Sequence, residues 1–137
     1  NERKIKEKKI TLKIELQDEN CYVKADEDKT MQVVTNLLDN AIKYSPNAPI
    51  IDVFTENIKD FILIKIQDQG AGMSKVAQKK VFEKFYREHT GDLHNVKGHG
   101  LGLAYVKQIV EDHNGQIYVE SEKGRGSTFI IKMPLIN

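Results

Sequence analysis

Apolar and polar residues alternate along ITLKIEL, residues 10–16, placing Ile10, Leu12, Ile14 and Leu16 on one face. That period of two predicts a half-buried strand. After a turn at DEN, CYVKA (residues 21–25) predicts a second short strand. The period then lengthens. Over residues 28–44 the apolar positions Met31, Val34, Leu37, Leu38 and Ala41 recur at helical spacing. Asp26 supplies an N-cap, and Lys29 at the third helical position leaves no capping box. Ser45-Pro46 and Pro49 end the helix. IIDVFTE and FILIKIQD return to strand patterns, with a turn at residues 57–60 between them.

DQGAGM, residues 68–73, is a glycine loop, and SKVAQKKVFEKF predicts a short amphipathic helix over residues 74–85. Residues 86–99, YREHTGDLHNVKGH, have no period and few apolar positions. So long a loop inside a compact domain predicts a lid or a binding loop. A helix follows over residues 101–114, with Gly115 as its C′ glycine. QIYVES and STFIIKMP close the chain as strands around a Gly-Arg-Gly turn. Few helices among many strands that pair with sequence neighbours predict an α/β fold. The expected architecture is a two-layer α/β sandwich: a mixed or antiparallel sheet with helices on one face, not a doubly wound sheet.

Composition narrows the class. The 137 residues fit one domain, 39% are hydrophobic and 30% charged. A net charge of +1 gives no electrostatic footprint for nucleic acid, so none is expected as a partner. The single cysteine, Cys21, excludes an intrachain disulfide and a multi-cysteine zinc site, and it is consistent with a reducing compartment. The sequence contains no apolar run of about 18 residues and no visible signal peptide. Because the chain starts at Asn1, it is read as a piece of a larger protein. Residues 1–9, NERKIKEKK, are expected to be the trailing end of an upstream helix or a linker, and residues 10–137 the domain itself.

Three features carry chemistry. At about 100° per residue, Asn36, Asn40 and Lys43 share a narrow sector of the first helix, flanked by Tyr44 and opposite Val34, Leu38 and Ala41. Asparagine is a poor helix former, and two of them in mid-helix have no capping role. An amide oxygen suits magnesium, and a lysine suits phosphate. Secondly, Asp68 continues the apolar face of Ile62, Ile64 and Ile66, where a carboxylate is costly without hydrogen-bond donors. Gly70 and Gly72 follow at once and permit close approach. The exocyclic amino group of adenine fits such an acceptor; a turn-forming aspartate is the plainer alternative. Thirdly, GHGLGL, residues 98–103, opens a helix. Its spacing matches neither the dinucleotide-binding fingerprint nor the P-loop, and the strand and lysine of a protein-kinase glycine loop are missing. By itself it supports a general anion site at a helix N-terminus or a hinge.

Taken together, these segments resemble one family. NLLDNAIKYSP is similar to the N box of bacterial two-component sensor histidine kinases, and DQGAGM to their first glycine box. VFEKFYR resembles the F box, GHGLGLAYVK the second glycine box, and GRGSTFIIKMP the closing strand. Five motifs in the family's order cover about residues 10–135. The resemblance implies the catalytic ATP-binding domain of such a kinase, with the Bergerat fold and a flexible ATP lid. That fold is shared with DNA gyrase B, the MutL mismatch-repair proteins and heat-shock chaperone ATPases.

The resemblance also implies roles, position by position. Asn40 ligates magnesium through its side-chain oxygen, and Asn36 lies one turn before it, towards the phosphates. Lys43 contacts phosphate, and Tyr44 lies along the adenine. Asp68 accepts from the adenine amino group, supported by Gly72 and, through water, by Thr128. Gly70, Met73 and Tyr86 belong to the same nucleotide site. Phe82 and Phe85 pack the base of the lid, and Arg87 reaches the phosphates. Gly98, Gly100 and Gly102 let the lid wrap the phosphates, with Lys97, His99, Leu101 and Leu103 alongside. Lys97 replaces a frequent glycine and Lys84 a frequent arginine, and both keep positive charge near the lid. Asn36, Lys43 and Arg87 make up the expected catalytic set.

ATP and Mg²⁺ are the implied cofactors, and protein histidine kinase the implied activity. In the ATP-hydrolysing relatives a glutamate commonly occupies the position of Asn36, and a neutral amide cannot take its proton. The γ-phosphate is therefore expected to pass to a protein histidine. None of His89, His94, His99 and His113 matches the family's acceptor motif, so the acceptor is expected on a separate dimerisation domain upstream. His89, His94 and His99 are read as loop residues, because no carboxylate or cysteine spacing supports zinc. The other implied partner is a response regulator. The fragment is expected to be monomeric and cytoplasmic, and its parent an inner-membrane-anchored homodimer. The competing readings are a Bergerat-fold ATPase or anti-sigma-type serine kinase, and a degenerate docking module.

Overall fold

The computed structural model describes residues 11–16, 22–45, 50–84, 86 and 102–136. Five strands form one sheet in the order β1-β2-β3-β5-β4: β1 (Thr11–Glu15), β2 (Ile50–Ile58), β3 (Phe61–Gln67), β4 (Gln116–Glu122) and β5 (Gly126–Pro134). β1 lies parallel to β2, with Thr11 opposite Ile50, and the crossover between them contains α1 (Glu27–Lys43). The other three pairings are antiparallel. The sheet is therefore mixed, as the pattern predicts. Two further helices, α2 (Lys75–Lys80) and α3 (Gly102–Asp112), complete the described elements.

Local chemistry sets the helix ends. Asp26 Oδ1 accepts the Lys29 N–H at 2.9 Å, and Ser74 Oγ accepts the Ala77 N–H at 3.1 Å, so each side chain caps a helix start. The acidic residues Glu27 and Asp28 occupy the first turn of α1 and Lys43 the last, in line with the helix dipole. α3 ends differently from the expectation. Asn114 takes the left-handed conformation at φ 64°, and Gly115 does not. The Gly115 N–H reaches Val110 O at 2.9 Å and the Asn114 N–H reaches Glu111 O at 3.0 Å. That is a Schellman ending with Asn114 at C′. Gly115 is needed for space: a Cβ there would lie 2.6 Å from Met133 Sδ and 2.7 Å from Lys132 O.

α1 lies over β3 and α3 over β4, and the two helices pack together. The core fills the space between the layers. Leu37 and Val106 are wholly buried, against Ile51, Ile66, Phe129 and Ile131. On the opposite face, Phe54, Lys65, Ile130 and Tyr118 lie in one row across four strands. Lys65 Nζ sits 5.7 Å from the Phe54 ring and pairs with Glu56 at 2.6 Å, and Lys132 Nζ sits 4.3 Å from the Phe61 ring. These lysine stems cover apolar surface, and Ile130 is buried with no second layer over it among the described residues.

Several expectations change. Residues 22–25 form no strand; the Tyr22 carbonyl accepts one hydrogen bond, from Ile136 N–H at 2.8 Å. The alternation there is real but serves the helix layer, since Val23 packs on the core while Tyr22 is exposed. Ile14 and Leu16 are exposed, not half-buried, because β1 is an edge strand two places from the strand beneath α1. On α1, Val33 is buried and Met31 is exposed, so the buried sector centres on Val33, Leu37 and Ala41. The second helix stops at Lys80.

The ending of α3 is directly testable. Gly115→Ala is expected to destabilise the domain by about 2 kcal/mol through overpacking. Asn114→Gly is expected to change stability by only a few tenths, because both residues tolerate the left-handed region. Urea unfolding of the two variants beside the parent measures both.

Candidate functional site

The rotation of α1 sets the first wall. Asn36, Asn40 and Lys43 are half-buried and Asp39 is exposed. The polar stripe therefore does not point away from the core, as its sequence sector suggests. It forms a shoulder beside the buried face. Lys29 shares the sector to within about 20°. Its Nζ donates to the Tyr105 hydroxyl of α3 at 2.9 Å and lies 5.5 Å from that ring. The shoulder thus borders α3, and that hydrogen bond raises the Lys29 ammonium pKa above its usual range. Tyr44 caps α1, its N–H bonded to Asn40 O at 3.2 Å.

The second wall is the glycine loop after β3. Asp68 is 5% exposed. Its Oδ1 accepts the N–H of Gly70 at 2.8 Å and the N–H of Ser127 at 3.2 Å. Its own N–H donates to Ser127 O at 2.9 Å. No ion pair reaches this carboxylate among the described residues. Burial pushes its pKa above the usual carboxylate range, and the two amide hydrogen bonds oppose that shift without cancelling it.

Glycines make this arrangement possible. A Cβ on Gly70 would lie 2.4 Å from Tyr44 O, so the loop touches the end of α1. Gly126, at φ +101°, approaches Asp68 so closely that a Cβ would lie 2.1 Å from its carbonyl oxygen. Gly72, at φ +73°, presses in the same way on Glu122 O. Gly124 N–H donates to Ala71 O at 2.7 Å, which ties the β4–β5 turn to the loop. Asp68 is thereby held between the α1 end and the start of β5.

One predicted position moves. Phe129 is buried in the core, so its neighbour Thr128 faces the other side of the sheet, opposite Gln67 and Glu120. Ser127, not Thr128, touches Asp68. Sequence reasoning also missed Ser121 and Gln78. Ser121 Oγ accepts the Met73 N–H at 2.7 Å and lies 2.8 Å from Ser127 Oγ. Gln78 Nε2 donates to Met73 O at 3.0 Å and to Ser121 O at 2.9 Å. The alternation of Ser127 with Phe129 was a usable signal. Nothing in the sequence marked Ser121.

Gly102 is the first residue of α3, and a Cβ there would meet nothing within 4 Å. Leu103 and Phe82 pack against the core, Phe82 edge-on to Phe129 with ring centroids 6.1 Å apart. Tyr86 is half-buried, its N–H bonded to Glu83 O at 3.3 Å. Phe85, Arg87, Lys97, Gly98, His99, Gly100 and Leu101 lie outside the described residues, as do His89, His94 and residues 1–9.

This chain belongs to the family of histidine kinase-, DNA gyrase B- and HSP90-like ATPases, whose pattern matches residues 25–137. It is 49% identical over 130 residues to the sensor protein RprX of Bacteroides fragilis, covering 93% of this chain and 25% of that protein. It thus spans about a quarter of that relative's length. Among solved structures, the mycobacterial sensor histidine kinase MprB matches with a TM-score of 0.84 at 30% identity, over 98% of this chain and 90% of that one. Full-length ShkA in complex with AMPPNP matches with a TM-score of 0.82 at 25% identity, over 98% of this chain and 27% of that one. The mixed sheet with its helices is that of histidine kinase catalytic domains.

Asp68 has a stability signature. Its folded-state pKa is raised, so the folded chain binds the proton more tightly than the unfolded one. Ionised Asp68 therefore weakens the fold at neutral pH. That cost disappears as pH falls through the raised pKa towards the ordinary value of about 3.9. Asp68→Asn keeps an oxygen acceptor for both amides. It is expected to equal or exceed the parent in stability at pH 7, with the gap closing as pH falls towards about 4. Paired urea melts across that range check it, and a gap that widens on acidification contradicts the assignment.

Proposed function

We propose that this chain binds ATP between the α1 shoulder and the Asp68 loop, as the catalytic domain of a sensor histidine kinase. It then presents the γ-phosphate to a histidine on a separate dimerisation domain. One observation carries the reading: Asp68 is a buried carboxylate held by two amides, without a cationic partner among the described residues. Such a group is a pure acceptor. It suits a flat donor with apolar edges, as the adenine amino group is, and Met73, at the end of the same glycine loop, packs on the core. The AMPPNP bound by the structural relative ShkA supports a nucleotide as the ligand.

The donor set fits magnesium held together with phosphate. Among the described residues no three His, Cys, Asp or Glu side chains gather into a metal site of their own. Asn40 offers a neutral amide oxygen on the half-buried shoulder, which suits a hard cation that keeps most of its ligands from phosphate and water. Bound there, the ion would neutralise charge on the phosphates. Asn36 lies one turn earlier and Lys43 nearly one turn later on the same shoulder, both placed towards the phosphates. Ser127, which holds Asp68, takes the place of Thr128 beside the adenine. Arg87 and the lid glycines complete the proposed site. Asn36 cannot act as a general base, which disfavours water as the acceptor and so disfavours the ATPase and serine-kinase readings. The intact asparagine stripe and glycine loop disfavour a degenerate docking module.

A larger parent protein would carry this domain. It would be a homodimeric, membrane-anchored sensor with a response regulator as its phosphate-accepting partner, and this chain its cytoplasmic domain. No described helix is long and apolar enough to cross a membrane.

Calorimetry with Mg-ADP tests the core of the proposal. Binding is expected, and Asn40→Ala is expected to lower the magnesium-dependent affinity by about tenfold or more, roughly 1.4 kcal/mol. Gly102→Ala is expected to leave the melting temperature unchanged or slightly higher, since no described atom is crowded and alanine favours helix, yet to weaken nucleotide binding. Steady phosphate release by this chain alone would instead support the ATPase reading.

A further inference from the structure

The serine pair beneath Asp68 has a proton arrangement that can be worked out. Ser121 Oγ carries one proton and two lone pairs. It has three neighbours at hydrogen-bond distance: Met73 N at 2.7 Å, Gly126 O at 2.9 Å and Ser127 Oγ at 2.8 Å. Met73 N–H can only donate, so it takes one lone pair. Gly126 O can only accept, so the 2.9 Å contact is attractive only if it receives the Ser121 proton. The remaining lone pair of Ser121 must then accept from Ser127. Any other assignment leaves two oxygens facing each other with no proton between them. All three contacts are satisfied in one way only, and that way uses up the Ser127 proton.

We propose that Ser121 is a positioning residue that fixes the Ser127 hydroxyl as an acceptor, and thereby sets the preference of the site for a purine with an amino group at C6. The inference rests on the nucleotide reading above. Ser127 is 7% exposed, on the helix-layer side of β5, and its own N–H holds Asp68 Oδ1. With its proton committed to Ser121, Ser127 turns only lone pairs towards its other neighbours. Asp68 is likewise acceptor-only when ionised. In direct contact, an amino group finds partners there. A carbonyl at C6, as in guanine, meets acceptors only, and desolvating unpaired polar groups is costly. Gln78 supports the arrangement by donating to both Met73 O and Ser121 O, which fixes the loop against β4.

The test compares ADP with GDP, by calorimetry, on the parent chain and on variants at Ser121. The parent is expected to prefer ADP. Ser121→Ala removes the oxygen that accepts the Ser127 proton, freeing that hydroxyl to donate elsewhere. The ADP-over-GDP preference is expected to fall by about tenfold. Ser121→Thr keeps the hydroxyl and is expected to retain the preference. Ser121→Cys, with a weak acceptor of similar size, is expected to lose it like alanine, and serves if the alanine variant does not fold. A merely structural clamp would weaken both nucleotides in proportion, so an unchanged ratio in the alanine or cysteine variant overturns the proposal. Failure of the parent to bind either nucleotide would overturn the nucleotide reading itself, and this inference with it.

Discussion

A carboxylate buried with no counter-ion among the described residues is the constraint around which this domain is arranged. Asp68 sits at the end of an apolar row, and water is largely excluded from it. Two backbone N–H groups offset part of that cost, from Gly70 and Ser127. For both to reach Oδ1, the chain must fold back immediately after Asp68, and the start of β5 must lie against it. Neither is possible with side chains at Gly70 or Gly126, where a Cβ would collide with Tyr44 O or Asp68 O. The same contacts fix the end of α1 relative to the end of β3. Holding the acceptor and placing the asparagine shoulder are thus parts of one packing problem.

Much of this was legible in the sequence. The position of Asp68 followed from the alternation of Ile62, Ile64 and Ile66, because a period of two leaves no choice of face. The caps at Asp26 and the ends of α1 followed from side-chain chemistry local to the turn. The mixed, one-sided sheet followed from element order and neighbour pairing. The N-box and glycine-box resemblance pointed to the family to which the chain belongs.

What was not legible depended on contacts distant in sequence. CYVKA alternates like a strand, but alternation reports which side chains are covered, not whether a ladder forms. Val23 is covered by the helix layer, and the pattern looks the same. Met31 and Val33 exchanged places because helical spacing fixes the width of an apolar face, while its centre is set by the neighbour it packs on. Asn114 took the role expected of Gly115, since both tolerate positive φ; Gly115 was reserved for a crowded contact with β5. Thr128 and Ser127 are adjacent hydroxyls, and only the face of Phe129 separates them.

The glycines divide along the same line, and the division bears on how the site is read. Gly70, Gly72 and Gly126 are each explained by atoms of this chain that a side chain would strike. Gly102 has no such explanation among the described residues, for none of them lies within 4 Å of a Cβ built there. It also opens a helix, where glycine is less favourable than alanine by up to about 1 kcal/mol. That cost is not offset by relieved crowding among the described residues. At a helix N-terminus the unpaired N–H groups face outward and favour negative charge. The space over Gly102, clear among the described residues, suits the phosphate of the nucleotide proposed above, as the buried acceptor at Asp68 suits the proposed amino group.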